Sequence, residues 1–416
     1  MAVVLAPRVT PLIHTQSGNR RLFVAAALFA STLAWFYVFH TYLLDSILRI
    51  PGIDLIYVSI GKLLFYGVAV VSGIGGSLIS EITERRRLLF FCVALAFVST
   101  ISLTIVESLE FSLLLSTLLG TCFGLTFPIC QALLTESTKV ASRGRIAGIV
   151  IFVTFVIVVT ILLLTTLLEL VITDLLILCA ALNATSLIAL STNPVQRQKG
   201  PRKAWGELIK SEGFSSYAVP WLIFNVANGL LSFGEFSSEI ESIAVLGTAV
   251  EFLVTIFTAF AAGFLADRNG RKQPMIAGLV VLGIGYAFFG VVASEVSYII
   301  YLTVEGIAWG LIAVVYLQVI LGDISAASGS KERYYALGGL MIPFLTRTVF
   351  SVSQELSGLT VPANQLSMVL CIITFLSMIP LLRAPETLPE EMMRERRLKK
   401  HVETISKFVS ESKKEE

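Results

Sequence analysis

Charge is what this sequence has least of. Asp, Glu, Lys and Arg make up only 14% of it, where a soluble chain carries about 25%. That deficit excludes a globular enzyme with a polar surface. A phosphate-cradling GxxxxGK[ST] loop is missing, so the sequence gives no reason to expect ATP hydrolysis by this chain. There is no HExxH, GxSxG or paired Cys/His spacing. The cysteines, Cys92, Cys122, Cys130, Cys179 and Cys371, are odd in number, sit inside apolar runs and form no CxxC. They imply neither a disulfide framework nor a metal site and read as small buried hydrophobes. The sequence therefore gives no reason to expect enzymatic activity, a cofactor, a metal or a nucleic-acid partner. The patch from Ala2 to Ala6 is shorter than a signal-peptide core of about 7–15 residues, so the first long apolar run is expected to lead insertion.

What the sequence does have is apolar length. Hydrophobic residues make up 55% and mean hydropathy is +0.83, which places the chain among polytopic membrane proteins. A membrane helix needs roughly 20 mostly apolar residues. Twelve candidate spans fit, near 22–45, 52–80, 88–107, 110–135, 146–168, 173–191, 216–234, 243–266, 274–293, 297–322, 335–357 and 362–382. Lys and Arg gather in cytoplasmic loops, and with twelve spans 28 of the 31 fall in segments on one side. A missed span would invert every later loop and destroy that asymmetry. The expected organisation is a cytoplasmic segment 1–21, a six-helix bundle 22–191, a cytoplasmic loop 192–215, a second six-helix bundle 216–384 and a charged, helical cytoplasmic tail 385–416. The expected setting is the plasma membrane, with both termini cytoplasmic and the chain a monomer in the lipid bilayer.

The two halves echo each other. Span four carries Gly120 and Gly124, and span ten carries Gly306 and Gly310, an offset of 186. At the same offset Asp267 falls on Glu81, Arg271 on Arg85 and Lys272 on Arg86. One residue of slippage later, Glu136 matches Asp323. The loops that follow, "SRGR" and "SKER", are basic in both halves. Several coincidences at nearly one offset imply two related six-helix bundles, a known transporter architecture. The small-xxx-small pairs are expected to let helix backbones approach closely.

The stretch "GFLADRNGRK", with Gly263, Leu265, Asp267, Arg268, Gly270, Arg271 and Lys272, resembles the major facilitator superfamily signature between the second and third helices of a bundle. "SRGRIAG", containing Arg143, resembles the family's R-G-r-x-x-G loop, and "APETLPEE" its P-E-T ending. The resemblance spans about residues 20–391 and implies a fold of twelve transmembrane helices in two six-helix pseudo-repeat bundles. Departures are present. The first-half copy, "SLISEITERR", loses its glycines, span four lacks the family's buried arginine, and span five lacks the glycines and proline of drug antiporters.

Physically, the signature reads as a latch. Gly270 suits a tight turn. Asp267 carries negative charge where a neighbouring helix N-terminus could hold it. Arg271 is placed to pair with Asp323, and Arg85 with Glu136. By resemblance, such pairs lock the inner side while the outer side is open. The alternative is that the basic residues serve only as a topology signal.

Charges inside spans are costly, and four stand out: Lys62, Glu251, Glu305 and Arg347. Each lies eight to ten residues from the outer end of its span, or roughly 12–15 Å deep at the helical rise. Helical spacing puts Asn225, Asn228, Ser232 and Glu235 on one face of span seven. Thr248, Glu251, Thr255 and Thr258 share a face of span eight, Glu305, Trp309 and Tyr316 one of span ten, and Pro343, Arg347, Ser351 and Gln354 one of span eleven. In the family the resemblance points to, spans seven, eight, ten and eleven help line the cavity. Burial penalises a bare carboxylate, so Glu251 or Glu305 is the expected carrier of a coupling proton. Arg347 is expected to hold an anionic group or a paired acid, with Trp309 and Tyr316 stacking on substrate. The competing view is that the four charges neutralise one another and fasten helices. His40, near the outer end of span one, reads as a structural residue or a pH sensor. Thr387 and Glu390 have capping-box spacing with Pro389 in the first turn, and Leu398, Val402, Ile405 and Val409 share one face of the helix that would follow. The expected function is secondary active transport of a small organic solute, driven by protons. The alternatives are a uniporter and a non-transporting membrane sensor.

Overall fold

A computed structural model describes residues 12–49, 55–105, 108–192, 201–326 and 328–395, with positions 398, 402 and 405 beyond them. The first eleven residues, most of the charged tail with Val409, and residues 193–200 of the central loop lie outside the described residues.

Twelve long helical spans follow one another. Span one runs Leu12–Val38 and continues through a π-helical turn, Phe39–Leu43, into Leu44–Leu48. Spans two to six are Leu55–Ile82, Arg85–Ser102, Leu109–Glu136, Arg143–Leu167 and Ile172–Thr192. Spans seven to nine are Glu212–Leu230, Ser238–Asn269 and Lys272–Val291. Span ten is Glu295–Ser325, span eleven Lys331–Ser357 and span twelve Ala363–Arg383. Ten of these are long and apolar enough to cross a membrane. The other two are span three, which opens with Arg85, Arg86 and Arg87, and span seven, which carries Asn225 and Asn228. The helices outrun the apolar runs. Span eight begins earlier than its hydrophobic stretch because the Ser237 hydroxyl accepts from Ile240 N, and serines 108 and 294 open spans four and ten in the same way.

Packing repeats at an interval of six spans. In the first bundle, span four lies against spans two and three, and span six against spans one and three. In the second, span ten lies against eight and nine, and span twelve against seven and nine. The small residues at the 186 offset sit in these contacts. A Cβ on Gly124 would come 2.1 Å from the Ala69 carbonyl oxygen of span two, and one on Gly306 2.6 Å from the Glu251 carbonyl oxygen of span eight. The two bundles meet along two seams, span five against span eight and span two against span eleven.

At one end the seam between spans five and eight is drawn very close. A Cβ on Gly263 would sit 2.2 Å from the Gly144 carbonyl oxygen. At the other end Gly234–Glu235 and Val361–Pro362 form a two-residue parallel bridge. Spans ten and eleven are each interrupted by a π-helical turn, Val315–Ile320 and Tyr335–Met341. Such turns add a residue to the helix and re-aim the side chains around it.

Candidate functional site

The Lys/Arg-rich end of the fold holds two ion clusters, one for each seam. The first is built on the stretch 263–272. Span eight stops at Gly270, whose φ of +101° needs no Cβ and whose Cβ position would meet the Glu386 carboxylate at 2.6 Å. The turn leaves Asp267 buried and facing the start of span five. Its two carboxylate oxygens accept from Gly144 N and Arg145 N, each at 2.9 Å. These are first-turn amides with no partner inside their own helix, and the helix dipole favours an anion there. Gly144 leaves room for this, since a Cβ on it would lie 2.7 Å from Asp267 Oδ1.

Arg271 is fully buried. It donates to Asp323 Oδ2 at 3.0 Å, to Asp267 Oδ1 at 3.1 Å, and to the carbonyls of Ala266 and Val140. Asp323 also takes Arg143 from across the seam. A buried guanidinium is tolerated when its donors are matched in this way. Two of these contacts were not legible in the motif. Glu386, after span twelve, accepts from Arg271 N and Lys272 N. Thr387 donates to Asp323 Oδ2 at 3.2 Å. The hydroxyl expected to cap a tail helix thus serves the cluster, and Pro389 stands just before the helical turn at 390–395.

The second cluster occupies the seam between spans two and eleven. Arg85 Nη1 donates to Glu136 at 2.9 Å and Arg85 also pairs with Glu332. Lys331 lies 3.4 Å from Glu136. Glu81 binds Arg333 at 2.8 and 2.9 Å. Arg202 of the central segment reaches Glu81, and the Lys203 carbonyl accepts from Arg333. Arg268 is exposed, and Lys272 caps the carbonyls of Leu382 and Ala384. Its counterpart Arg86 does the same to Leu190.

Deeper in the fold lies the polar layer. Glu305 is buried beside Tyr301 and Trp309 on span ten. Glu251 is half-buried on span eight, within electrostatic reach of Glu305. The glycine contact just described brings their backbones together, and Thr255 donates to the Gly306 carbonyl at 3.2 Å. Among the described residues neither acid has a Lys or Arg within ion-pair distance.

Trp309 is half-buried and edge-on to Phe224, with ring centroids 4.6 Å apart. Tyr316 is fully buried and stacks on Trp221 at 5.1 Å. The Asn225 and Asn228 amides donate to carbonyls of their own helix, Trp221 O and Phe224 O. Arg347 is exposed and stands over the Tyr66 ring, 5.9 Å from its centroid. Lys62 leaves the layer. Its ammonium reaches Glu355 at 2.6 Å and Asp45 at 3.1 Å, toward the opposite end from the two clusters. A long stem lets a lysine carry its charge toward a helix end in this way.

A model of the Major Facilitator Superfamily matches residues 24–327. The chain belongs to the major facilitator superfamily. Among solved structures, this major facilitator protein is similar to the major facilitator proton:xylose symporter XylE bound to 6-bromo-6-deoxy-D-glucose. The match covers 90% of this chain and 97% of that one, with a TM-score of 0.68 and 13% identity. At that identity the likeness concerns the fold. No curated protein matches the sequence. The chain is thus a multi-pass membrane protein of a transporter family, not an enzyme.

Sequence reasoning on this facilitator missed the first bundle's share of the midplane. Phe36, Phe123, Tyr66 and Phe344 form one aromatic group across the seam between spans two and eleven. The Phe36 and Phe344 rings are 5.1 Å apart, and those of Phe123 and Phe344 5.6 Å. Aromatic side chains at helical spacing in an apolar run look like ordinary core, so no sequence signal set them apart.

Proposed function

We propose that this facilitator is a secondary active transporter of a small organic solute, coupled to protons and working by alternating access. The observation that supports coupling is the pair Glu251 and Glu305. They neighbour each other across spans eight and ten with no basic partner among the described residues. Two carboxylates sharing such a site repel when both are charged, and a charge inside the membrane is costly. A proton taken and released in step with the solute relieves both penalties.

The Lys/Arg-rich end is the cytoplasmic one, which puts both termini in the cytoplasm and the protein in the plasma membrane as a monomer. The two ion clusters are the inner gate, closed in this structure. Asp267, Arg271, Asp323 and Arg143 close one seam; Glu81, Arg85, Glu136 and Arg333 close the other. Lys62, Glu355 and Asp45 form a lighter latch at the outer end.

The test is purified protein in liposomes, offered a solute panel with and without an inward proton gradient. Gradient-driven uptake that Glu305→Gln and Glu251→Gln each abolish is expected. Saturable binding with no uptake of any solute would replace the transporter with a sensor. Uptake indifferent to the gradient would make it a uniporter. Wild-type proton-driven uptake in both variants would remove the coupling role from these acids.

A further inference from the structure

Arg347 differs from the buried arginines of the fold. Arg85, Arg143 and Arg271 are each buried against acids. Arg347 sits mid-span, yet among the described residues it has neither an acid within ion-pair distance nor a hydrogen-bond acceptor. Its guanidinium has five N–H donors. What it touches is a π face, that of Tyr66 on the opposite bundle. Tyr66 in turn is held by His40, whose Nδ1 lies 3.3 Å from the phenol oxygen. The His40 Nε2 is occupied by the Thr41 hydroxyl at 3.2 Å, so the imidazole fixes the Tyr66 ring that carries the cation. Around this point Phe36 lies tilted against His40 with ring centroids 4.6 Å apart, and Phe344 meets Tyr66 edge-on at 5.7 Å. The guanidinium is thus presented from an aromatic wall with its donors free.

Tyr37 stands near both charge signs. It lies within electrostatic reach of both Arg347 and Glu251. The layer is therefore polarised, with a cation where spans one, two and eleven meet and two acids where spans eight and ten meet. The two charge signs differ in how they can be neutralised. A carboxylate can accept a proton. An arginine does not give one up in proteins, so when the layer is closed off from water its charge needs an anion. Glu251 is one candidate within the chain, and in this conformation it forms no ion pair with Arg347.

We infer that Arg347, backed by Tyr66 and positioned through His40, is an anion subsite, and that the cargo is a small organic acid presenting a carboxylate to Arg347 and an apolar or aromatic body to Phe36, Phe344 and Tyr37. This rests on the transport reading above and names its substrate class. It also gives the coupling a charge logic. With cargo bound, the carboxylate neutralises Arg347 and protons neutralise the acids. With the site empty and deprotonated, the Glu251 carboxylate becomes the partner available to Arg347. His40 is a positioning residue in this scheme, since it touches Tyr66 and not the cargo.

The test uses three probes of one shape: phenylacetate, phenylacetamide and phenethylamine. Binding to the purified full-length protein in detergent is read by thermal stabilisation and tryptophan fluorescence. Phenylacetate is expected to bind at least about tenfold tighter than the other two, a difference that Arg347→Gln abolishes and Arg347→Lys keeps in part. His40→Phe is expected to weaken phenylacetate while keeping the order of the three. Phenylacetate binding no tighter than the amide, absence of binding by all three included, overturns the proposal. So does an unchanged preference in monodisperse Arg347→Gln protein. The transport reading fails separately. Arg347-dependent carboxylate binding without gradient-driven uptake leaves the subsite standing, and gradient-driven uptake of a neutral solute leaves the transporter standing.

Discussion

The two ion clusters occupy equivalent places in the repeat, yet they are built differently. At the seam between spans five and eight the acid is Asp267, and it grips backbone: two amides at the start of span five. At the seam between spans two and eleven the acid is Glu81, one methylene longer, and it grips a side chain, Arg333. The partner loops explain the difference. "SRGR" puts Gly144 where the carboxylate must come close to the helix start. "SKER" puts Glu332 there, whose side chain turns to Arg85 instead. Gly263, at the close crossing of spans five and eight, likewise corresponds to Ser77 in the first half. The first-half signature is therefore not simply worn. It has exchanged a helix-cap latch for a side-chain network. Each network is also covered by the chain that leaves its own bundle. Residues 201–203 after span six lie over Glu81 and Arg333, and Glu386 and Thr387 after span twelve lie over Arg271 and Asp323.

That contrast can be broken at graded strengths. The largest effect is expected from Arg271→Ala, which leaves Asp267 and Asp323 with less compensation in a buried site. Losing one partner of such a network costs about 3–5 kcal/mol, so both thermal stability in detergent and uptake should fall steeply. Gly263→Ala comes next. Its methyl has no room against Gly144, and overpacking of this kind costs roughly 1–3 kcal/mol. Ser77→Ala, its first-half counterpart, should stay within about 0.5 kcal/mol of wild type; equal effects in the two would erase the proposed asymmetry of the seams. Arg333→Ala should be intermediate, with Glu81→Gln giving much the same loss, and the double variant little more than either alone. The smallest effect belongs to Lys62→Gln at the opposite end, where a partly exposed pair contributes about 0–1 kcal/mol. Its signature should be kinetic, a change in uptake rate with little change in melting temperature.

Much of the architecture was written in local residue chemistry. Twelve spans followed from apolar run length and from where Lys and Arg gather. The turn at Gly270 and the facing of Arg271 toward Asp323 followed from motif spacing and the 186 offset. What stayed hidden depends on distant parts of the chain meeting. Arg333 and Glu81 are 252 residues apart, and nothing local marks them as partners. Glu386 could have been suspected from the P-E-T stretch, but its target, the amides after Gly270, is visible only once the turn is folded. The π turns in spans one, ten and eleven carry no Pro or Gly pattern common to all three. Lys62 read as a midplane charge because helix position fixes the depth of a Cα and not that of an ammonium four carbons away. Position along each span led to the expectation of one layer holding Glu251, Glu305 and Arg347, whereas it gave no expectation of the aromatic wall from spans one and two.

The central claim is that Asp267, by capping span five, holds the Lys/Arg-rich ends of the two bundles together. Spin labels at Lys139 and Asn269, both exposed and on opposite sides of that seam, allow their separation to be measured by double electron–electron resonance. The account predicts one dominant short distance in wild type and a clear shift toward a longer population in Asp267→Asn. An Asp267→Asn distribution identical to wild type would contradict it.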